Sequence, residues 1–430
     1  MKTIIMAGGK GTRISGIASD IPKPMIPVVG KPILEYQIAA LVRSGMRDIL
    51  LVTGHLGYII QDYFKDGSAF DTHISYFHET EALGTAGALF EIEKELSDSF
   101  LLINGDLVFD IDFSRLFAFH AENQSLATLV SHPNSHPYDS ALLETDSDER
   151  IIRWINKEEP RAFYKNRVSS GVYLLDREII ALSKKSISAK KVDLDRDVLK
   201  PAISTNRLFA YNTPEYIKDM GTPDRFYQVE EDIAKGRVAA RNLSHRQRAI
   251  FLDRDGTINQ SKGFITRHED FKLLDGVDKA IRQINKSGLL AIVITNQPVI
   301  ARGECSLEEL DLIHRKMETE LGNTGVYIDD LYYCPHHPDR GFAGERLEYK
   351  IDCECRKPKP GMLLRAAEKY NIDLSASWMI GDDMRDIHAG KAAGCKTALI
   401  VDSAKRDIPA NEAPDLYCSS LENFMDMYLK

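Results

Sequence analysis

Two carboxylates one residue apart, Asp253 and Asp255, end the apolar run of AIFLDRDGT at residues 249–257. Side chains of an extended strand alternate faces, so residues i and i+2 point the same way and both carboxylates can address one pocket. At the carboxyl end of a buried parallel strand, that pocket is where an open α/β sheet places its ligand. Taken alone, the pair could equally be an acidic turn closing a strand. The chain downstream argues for chemistry. The buried run Leu290 to Ile294 ends in Thr295-Asn296-Gln297, Arg356-Lys357 precedes a helix starting near Gly361, and Met379-Ile380 ends at Gly381-Asp382-Asp383. A carboxylate pair, a hydroxyl, a cation and a second carboxylate pair at successive strand ends rarely fall in that order by chance.

The six cysteines, Cys305, Cys334, Cys353, Cys355, Cys395 and Cys418, all lie after residue 300. A disulfide framework would not leave the rest of the chain empty, so the clustering points to a local metal site. Cys334-Pro335-His336 and Cys353-Glu354-Cys355 offer three thiolates and an imidazole, a set suited to tetrahedral Zn²⁺. Four protein ligands leave no open position, so this zinc would be structural and would pin the loop before Arg356. Buried free cysteines beside a surface histidine are the plainer alternative.

The amino-terminal half has its own candidates. Thr3 to Ala7 reads as a strand running into Gly8-Gly9-Lys10-Gly11-Thr12-Arg13, a turn whose missing side chains let backbone N–H groups approach phosphate. Lys23-Pro24 and Lys31-Pro32 put lysines in proline-bounded turns, and Gly84-Thr85 opens a second close-approach loop. Asn104-Gly105-Asp106 closes a strand, which places Asp106 where a hard cation bridging phosphate oxygens would be held. Asp219 in KDMGTPDRF is a second acidic candidate, although an Asp beside Gly is often only a turn former.

These groups need strands that end at one edge. Runs at Ile49 to Thr53, Ile74 to Phe77 and Phe100 to Ile103 alternate with helical patterns, the first beginning near Ile33, which predicts βαβ units and a largely parallel sheet. At 430 residues the chain exceeds what one core serves, and two α/β domains are expected: 1–235 and 248–430, joined by a basic linker at 236–247. Within a chain of net charge −9 that stretch reads as a solvated linker or linker-helix rather than a nucleic-acid patch. No apolar run approaches a membrane span and no cleavable leader is evident, so a cytoplasmic protein is expected, without nucleic-acid or membrane partners and with a homo-oligomer left open.

Over roughly the first 235 residues the chain resembles the sugar-1-phosphate nucleotidyltransferases: GGKGTR with KPMIPVVGKPILEY, then LGTAGAL, NGD, WINKEEP, SGVY and DMGTPDRF. The resemblance implies a Rossmann-like sheet in which Arg13 and Lys23 neutralise phosphates and act in catalysis. It also implies that Gly8, Gly9, Gly11, Thr12, Gly84 and Thr85 approach the nucleotide, that Lys157 holds the sugar phosphate, that Ser170 and Gly171 contact the sugar, and that Asp106 and Asp219 bind Mg²⁺. ISGIASDIPKP departs from the family's usual run after the glycine loop, and no β-helix hexapeptide repeat follows.

Residues 248 to 425 resemble the haloacid dehalogenase superfamily. That implies Asp253 as nucleophile, Asp255 as general acid/base, and Thr295, Asn296, Arg356 and Lys357 as phosphate ligands. Mg²⁺ would be held by Asp253, Asp382 and the Asp255 carbonyl, beside the zinc set Cys334, His336, Cys353 and Cys355. DRDGT, TNQ, CPHHP and CxCRKPKPGM are similar in particular to heptose-bisphosphate 7-phosphatases, and next to histidinol-phosphate phosphatases. Pro298 and Val299 depart from that pattern, and too little chain separates Asp255 from Thr295 for a large cap. Combined, the resemblances imply removal of the 7-phosphate of D-glycero-α-D-manno-heptose 1,7-bisphosphate, then guanylyl transfer from GTP. Another sugar-1-phosphate nucleotidyltransferase fused to a histidinol-phosphate-like phosphatase is the alternative. A non-catalytic binder would not need so complete a set of reactive side chains.

Overall fold

The computed structural model describes residues 1–8, 20–187, 189–261, 263–401 and 408–429. The chain divides into two compact α/β units. One comprises Met1–His132, Leu143–Ile155 and Val168–Asn242; the other comprises Pro133–Leu142, Asn156–Arg167 and Leu243–Lys430.

In the first unit, Thr3–Met6 lies inside a nine-stranded sheet and pairs in parallel with Asp48–Thr53 and with Ser99–Asn104. Asp48–Thr53 pairs in parallel with His73–His78. Ile4, Ile5, Leu101, Leu102 and Ile103 are fully buried, as expected of central strands covered on both faces. Past Ser99–Asn104 the sheet becomes mixed: Val168–Asp176 runs antiparallel to both Ser99–Asn104 and Ala127–His132. The expectation of a largely parallel sheet therefore holds for the early strands and for Leu208–Asn212, which pairs in parallel with Ala127–His132, but not around Val168–Asp176. An apolar run such as Val168–Asp176 carries no mark of direction, so strand polarity there could not be read from the pattern. The basic stretch after residue 235 forms a short helix, Arg237–Ala240, and Arg237 Nε lies 2.6 Å from Asp232 Oδ1.

The second unit is built on a six-stranded sheet, all parallel, in the order Asp330–Cys334, Leu290–Asn296, Ala249–Leu252, Trp378–Gly381, Lys396–Ile400 and Leu416–Cys418. The first strand in sequence sits in the middle, and the order reverses beside it. A crevice opens at the carboxyl ends of strands at such a switch point. Helix Val277–Ser287 buries Val277, Ala280, Ile281 and Ile284, one stripe at helical spacing, and is the only α-helix between Leu252 and Leu290 among the described residues. Helix Leu307–Asn323 carries contacts that no local pattern reveals: Thr319 Oγ1 accepts from Tyr164 N at 2.9 Å, and Glu318 Oε2 from Asn166 N at 2.7 Å. No helix of the described residues is long and apolar enough to cross a membrane.

Candidate active sites

The carboxyl ends of the central strands of the second unit bring Asp253, Thr295, Lys357 and Asp382 to one crevice. Asp253 N donates to Ile380 O at 2.9 Å, continuing the strand pairing by one residue. Lys357 Nζ lies 2.8 Å from Asp253 Oδ1 and 2.6 Å from Asp386 Oδ1, and donates to Ile294 O at 2.8 Å. Asn296 fixes this lysine, accepting from Lys357 N and donating to Lys357 O, both at 3.0 Å. Its amide thus positions Lys357, where the sequence suggested a phosphate ligand. The buried Thr295 hydroxyl accepts from Gln297 Nε2 at 2.8 Å.

Asp253, Asp382 and Asp386 each offer an oxygen within 4.8 Å of the others. Two glycines make this possible. Gly256 has φ +82, and a Cβ on it would stand 2.0 Å from Asp382 Oδ2; one on Gly381 would stand 2.0 Å from Asp386 Oδ2. Asp386 was missed at the sequence level. It is the third residue of helix Met384–Ala393, and its carboxylate closes a capping box by accepting from Asp383 N at 3.1 Å. The D-x-x-D spacing at a helix start was the available signal. Burial and the neighbouring Asp253 push Asp382 up to about 6 and Asp386 up to about 7. Burial works against the Lys357 ammonium, but Asp253 and Asp386 outweigh it and raise its pKa. The three carboxylates, two of them paired with Lys357, are a hard-oxygen donor set fitted to Mg²⁺.

The Asp255 carboxylate stands outside that cluster. Arg254 Nη2 lies 2.8 Å from both its oxygens, while Asn259 Nδ2 and Gln297 Nε2 donate to it at 3.0 and 2.9 Å. Burial opposes its charge, yet Arg254 and these donors hold its pKa below the usual value.

Cys334, His336, Cys353 and Cys355 converge as expected. Cys355 Sγ lies 3.3 Å from Cys334 Sγ and 3.1 Å from Cys353 Sγ, with His336 Nδ1 at 3.4 Å. Cys334 Sγ is 3.5 Å from Cys353 Sγ and 3.7 Å from His336 Nδ1. These separations approximate the edges of a tetrahedron around one Zn²⁺, and hydrogen bonds from the neighbouring thiols draw Cys355 down to about 5. Arg356 Nη1 donates to the His336 carbonyl at 3.1 Å, so the cluster also fixes the guanidinium beside Lys357.

In the first unit, Asp106 and Asp219 are brought together. Asp219 ends Tyr216–Asp219, which pairs antiparallel with Leu107–Asp110 so that Asp219 faces Leu107, and Met220 N donates to Asp106 O at 3.1 Å. Gly105 allows the turn to press on the first strand, since a Cβ there would stand 2.7 Å from Met6 O. Buried Gln37 braces the same turn, donating to Asn104 O at 2.9 Å and Leu107 O at 2.8 Å. Lys23 pairs with Asp106, and Arg225 Nη1 lies 2.8 Å from both Asp219 oxygens. Burial would raise Asp219, but Arg225, the Gly221 amide and Lys23 bring its pKa below the usual value. Gln37 and Arg225 were not anticipated; Arg225 stands within the acidic motif itself.

Gly8 abuts Gly54 and Glu79, while Gly9, Gly11, Thr12 and Arg13 lie outside the described residues. Gly84 and Thr85 back onto the segment after Val192: a Cβ on Gly84 would stand 2.3 Å from Val192 O, and Thr85 Oγ1 accepts from Leu194 N at 2.7 Å. Ser170 and Gly171 form a bulge in Val168–Asp176, with Gly171 at φ +84 against Asn104. Lys157 falls in the second unit, within Asn156–Arg167, where it stands exposed, 3.8 Å from Glu158 Oε1.

Residues 2–236 match the nucleotidyl transferase family, more than half of the chain. The chain belongs to the nucleotidyl transferase family. Residues 354–424 match the haloacid dehalogenase-like hydrolases. Two curated relatives align with the carboxyl-terminal half. The D-glycero-beta-D-manno-heptose-1,7-bisphosphate 7-phosphatase of Yersinia pestis is 42% identical over 165 residues, covering 38% of this chain and 86% of that protein. The one of Escherichia coli (strain K12) is 41% identical over 174 residues, covering 40% and 89%. That half therefore belongs to this phosphatase family. A Bacillus anthracis structure assigned as a glucose-1-phosphate thymidylyltransferase matches at TM-score 0.50 and 23% identity, over 55% of this chain and 95% of that one, a likeness of fold. One polypeptide thus combines a nucleotidyl transferase with a phosphomonoester hydrolase.

Proposed function

We propose that the two activities act in succession on one sugar. The carboxyl-terminal domain removes the 7-phosphate of D-glycero-α-D-manno-heptose 1,7-bisphosphate, and the amino-terminal domain then joins the heptose 1-phosphate to GMP from GTP, releasing pyrophosphate. The observation that carries this reading is the pairing itself, because a 7-phosphatase leaves the sugar 1-phosphate that a nucleotidyl transferase consumes. The curated relatives are named for the β anomer. The fused transferase, whose resemblance implies a guanylyl donor, turns the proposal to the α anomer. Pro298 and Val299, where the sequence leaves the phosphatase pattern, lie in the turn after Gln297. The domains are taken as 1–235 and 248–430 and the setting as cytoplasmic.

In the phosphatase, a carboxylate oxygen of Asp253 attacks phosphorus and the bond to the sugar O7 breaks. Both polar contacts described for Asp253's side chain, from Lys357 Nζ and Arg254 N, fall on Oδ1, which favours Oδ2 as the attacking atom. Asp255 delivers the proton to the leaving oxygen, after the incoming phosphate's charge has raised its affinity for one, and then takes a proton from the water that cleaves the aspartyl-phosphate. Lys357 and the Thr295 hydroxyl hold phosphoryl oxygens. Asp253, Asp382, Asp386 and the Asp255 carbonyl would hold Mg²⁺, which supplies charge neutralisation between carboxylate and phosphate. In the transferase no nucleophilic side chain is required. The sugar phosphate oxygen attacks the α-phosphorus while Lys23 and Arg13 compensate charge, and Asp106 and Asp219 would hold a second Mg²⁺.

The test is mass spectrometry of products from each anomer of heptose 1,7-bisphosphate with Mg²⁺ and the four nucleoside triphosphates. GDP-heptose from the α anomer is expected. ADP-heptose from the β anomer would overturn the nucleotide and anomer, and phosphate release without any nucleotide sugar would overturn the coupling.

A further inference from the structure

Behind the reacting carboxylates lies a buried polar ring that the mechanism above leaves unused. Arg254, between the two acids in sequence, is fully buried. Its guanidinium has three partners: both oxygens of Asp255, Gln297 Oε1 at 3.2 Å from Nη2, and His314 Nε2 at 3.2 Å from Nη1. Gln297 closes the ring, accepting from Arg254 through its oxygen while its Nε2 donates to Asp255 Oδ2 at 2.9 Å and to Thr295 Oγ1 at 2.8 Å. Burial together with Arg254 keeps His314 neutral, so its Nε2 accepts from the guanidinium. A buried arginine with an unmatched donor is costly, and Asp255, Gln297 and His314 together supply acceptors to Arg254.

The geometry points to Arg254, Gln297 and His314 as positioning residues of the phosphatase step, a clamp that holds the Asp255 carboxylate in the one rotamer from which it can reach the leaving oxygen. This rests on the proposed role of Asp255 as proton donor. Without the clamp, Asp255 would rotate toward the neighbouring carboxylate cluster or toward solvent, and proton delivery would fail while phosphate binding persisted.

Leaving-group dependence separates this role from a structural one. An alkyl phosphate needs a proton on its leaving oxygen, whereas p-nitrophenyl phosphate does not. In the full-length protein with Mg²⁺, Gln297→Ala is expected to lower kcat for an alkyl phosphate by about 10- to 100-fold, with KM within about twofold. Its first-turnover rate of p-nitrophenol release should fall less than about threefold, because only the later hydrolysis of the aspartyl-phosphate, common to both substrates, calls on Asp255 there. His314→Leu should show the same selective loss, and His314→Gln, which restores an acceptor for Arg254, should recover most of it. Equal losses in the first-turnover release of both leaving groups, no loss on either, or a His314→Gln variant no better than His314→Leu would overturn the clamp. Asp253→Asn serves as the control: it should silence both substrates whatever the clamp does, so its failure would count against the phosphatase mechanism rather than against these three residues.

Discussion

In the amino-terminal unit each candidate metal carboxylate has its own cation, Lys23 on Asp106 and Arg225 on Asp219. In the carboxyl-terminal unit Asp253 and Asp386 share Lys357, and Asp382 has no ion pair among the described residues. The first balance suits a site whose reactants bring their own negative charge and where protein acids need only orient a metal. The second leaves acids crowded and proton-hungry, which suits a site where one of them must act as a nucleophile. On the mechanisms proposed, positioning and covalent catalysis would account for these different electrostatic signatures on two α/β sheets.

That contrast breaks most sharply at the nucleophile. Asp253→Asn should cut phosphate release by at least ~10⁴-fold while leaving nucleotidyl transfer to a supplied sugar 1-phosphate within about twofold, measured by phosphate and pyrophosphate assays on one preparation. Asp219→Asn should do the converse more mildly, slowing pyrophosphate release by about 10²- to 10³-fold with phosphatase activity intact. Cys355→Ser, or zinc removal by a strong chelator, should lower the unfolding midpoint of the phosphatase unit by several degrees and impair it through Arg356 and Lys357, with the transferase spared. The zinc content of the purified protein, one ion per chain lost in the variant, checks the assignment.

The smallest effect is a pH dependence. Asp382 and Asp386 have pKa values raised from the ordinary 3.8 to about 6 and about 7. The folded state therefore holds more protons than the unfolded state between pH 4 and 7, and the metal-free protein loses stability as pH rises through that window. Mg²⁺ replaces those protons, so its thermal stabilisation should be larger at pH 8 than at pH 5. A shift of equal size at both pH values would show that these acids do not form the metal site.

Much of the site was legible because its parts stand at strand ends, where an apolar run stops abruptly at a reactive residue. Asp253, Asp382 and Asp106 are of this kind, and the Cys-x-His and Cys-x-Cys pairs announce themselves by spacing. Asp386 was not, because an acid in the first helical turn reads as a cap, and only the close approach permitted by Gly381 turns it inward. Arg254 reads as a spacer between two acids until the fold buries it. Gln37, inside an amphipathic helix, gains its purpose from a turn 67 residues away in sequence. The antiparallel strands of the first sheet and the docking of Tyr164 and Asn166 on helix Leu307–Asn323 are long-range facts with no local pattern.

The most direct test mixes the two disabled proteins. Heptose 1,7-bisphosphate and GTP are incubated with Asp253→Asn alone, Asp219→Asn alone, and an equal mixture, and nucleotide sugar is quantified. Essentially none is expected from either variant alone and restored product from the mixture, with free heptose 1-phosphate accumulating in the Asp219→Asn reaction. Nucleotide sugar from Asp253→Asn alone, or a mixture no better than its parts, would contradict two successive and separable sites.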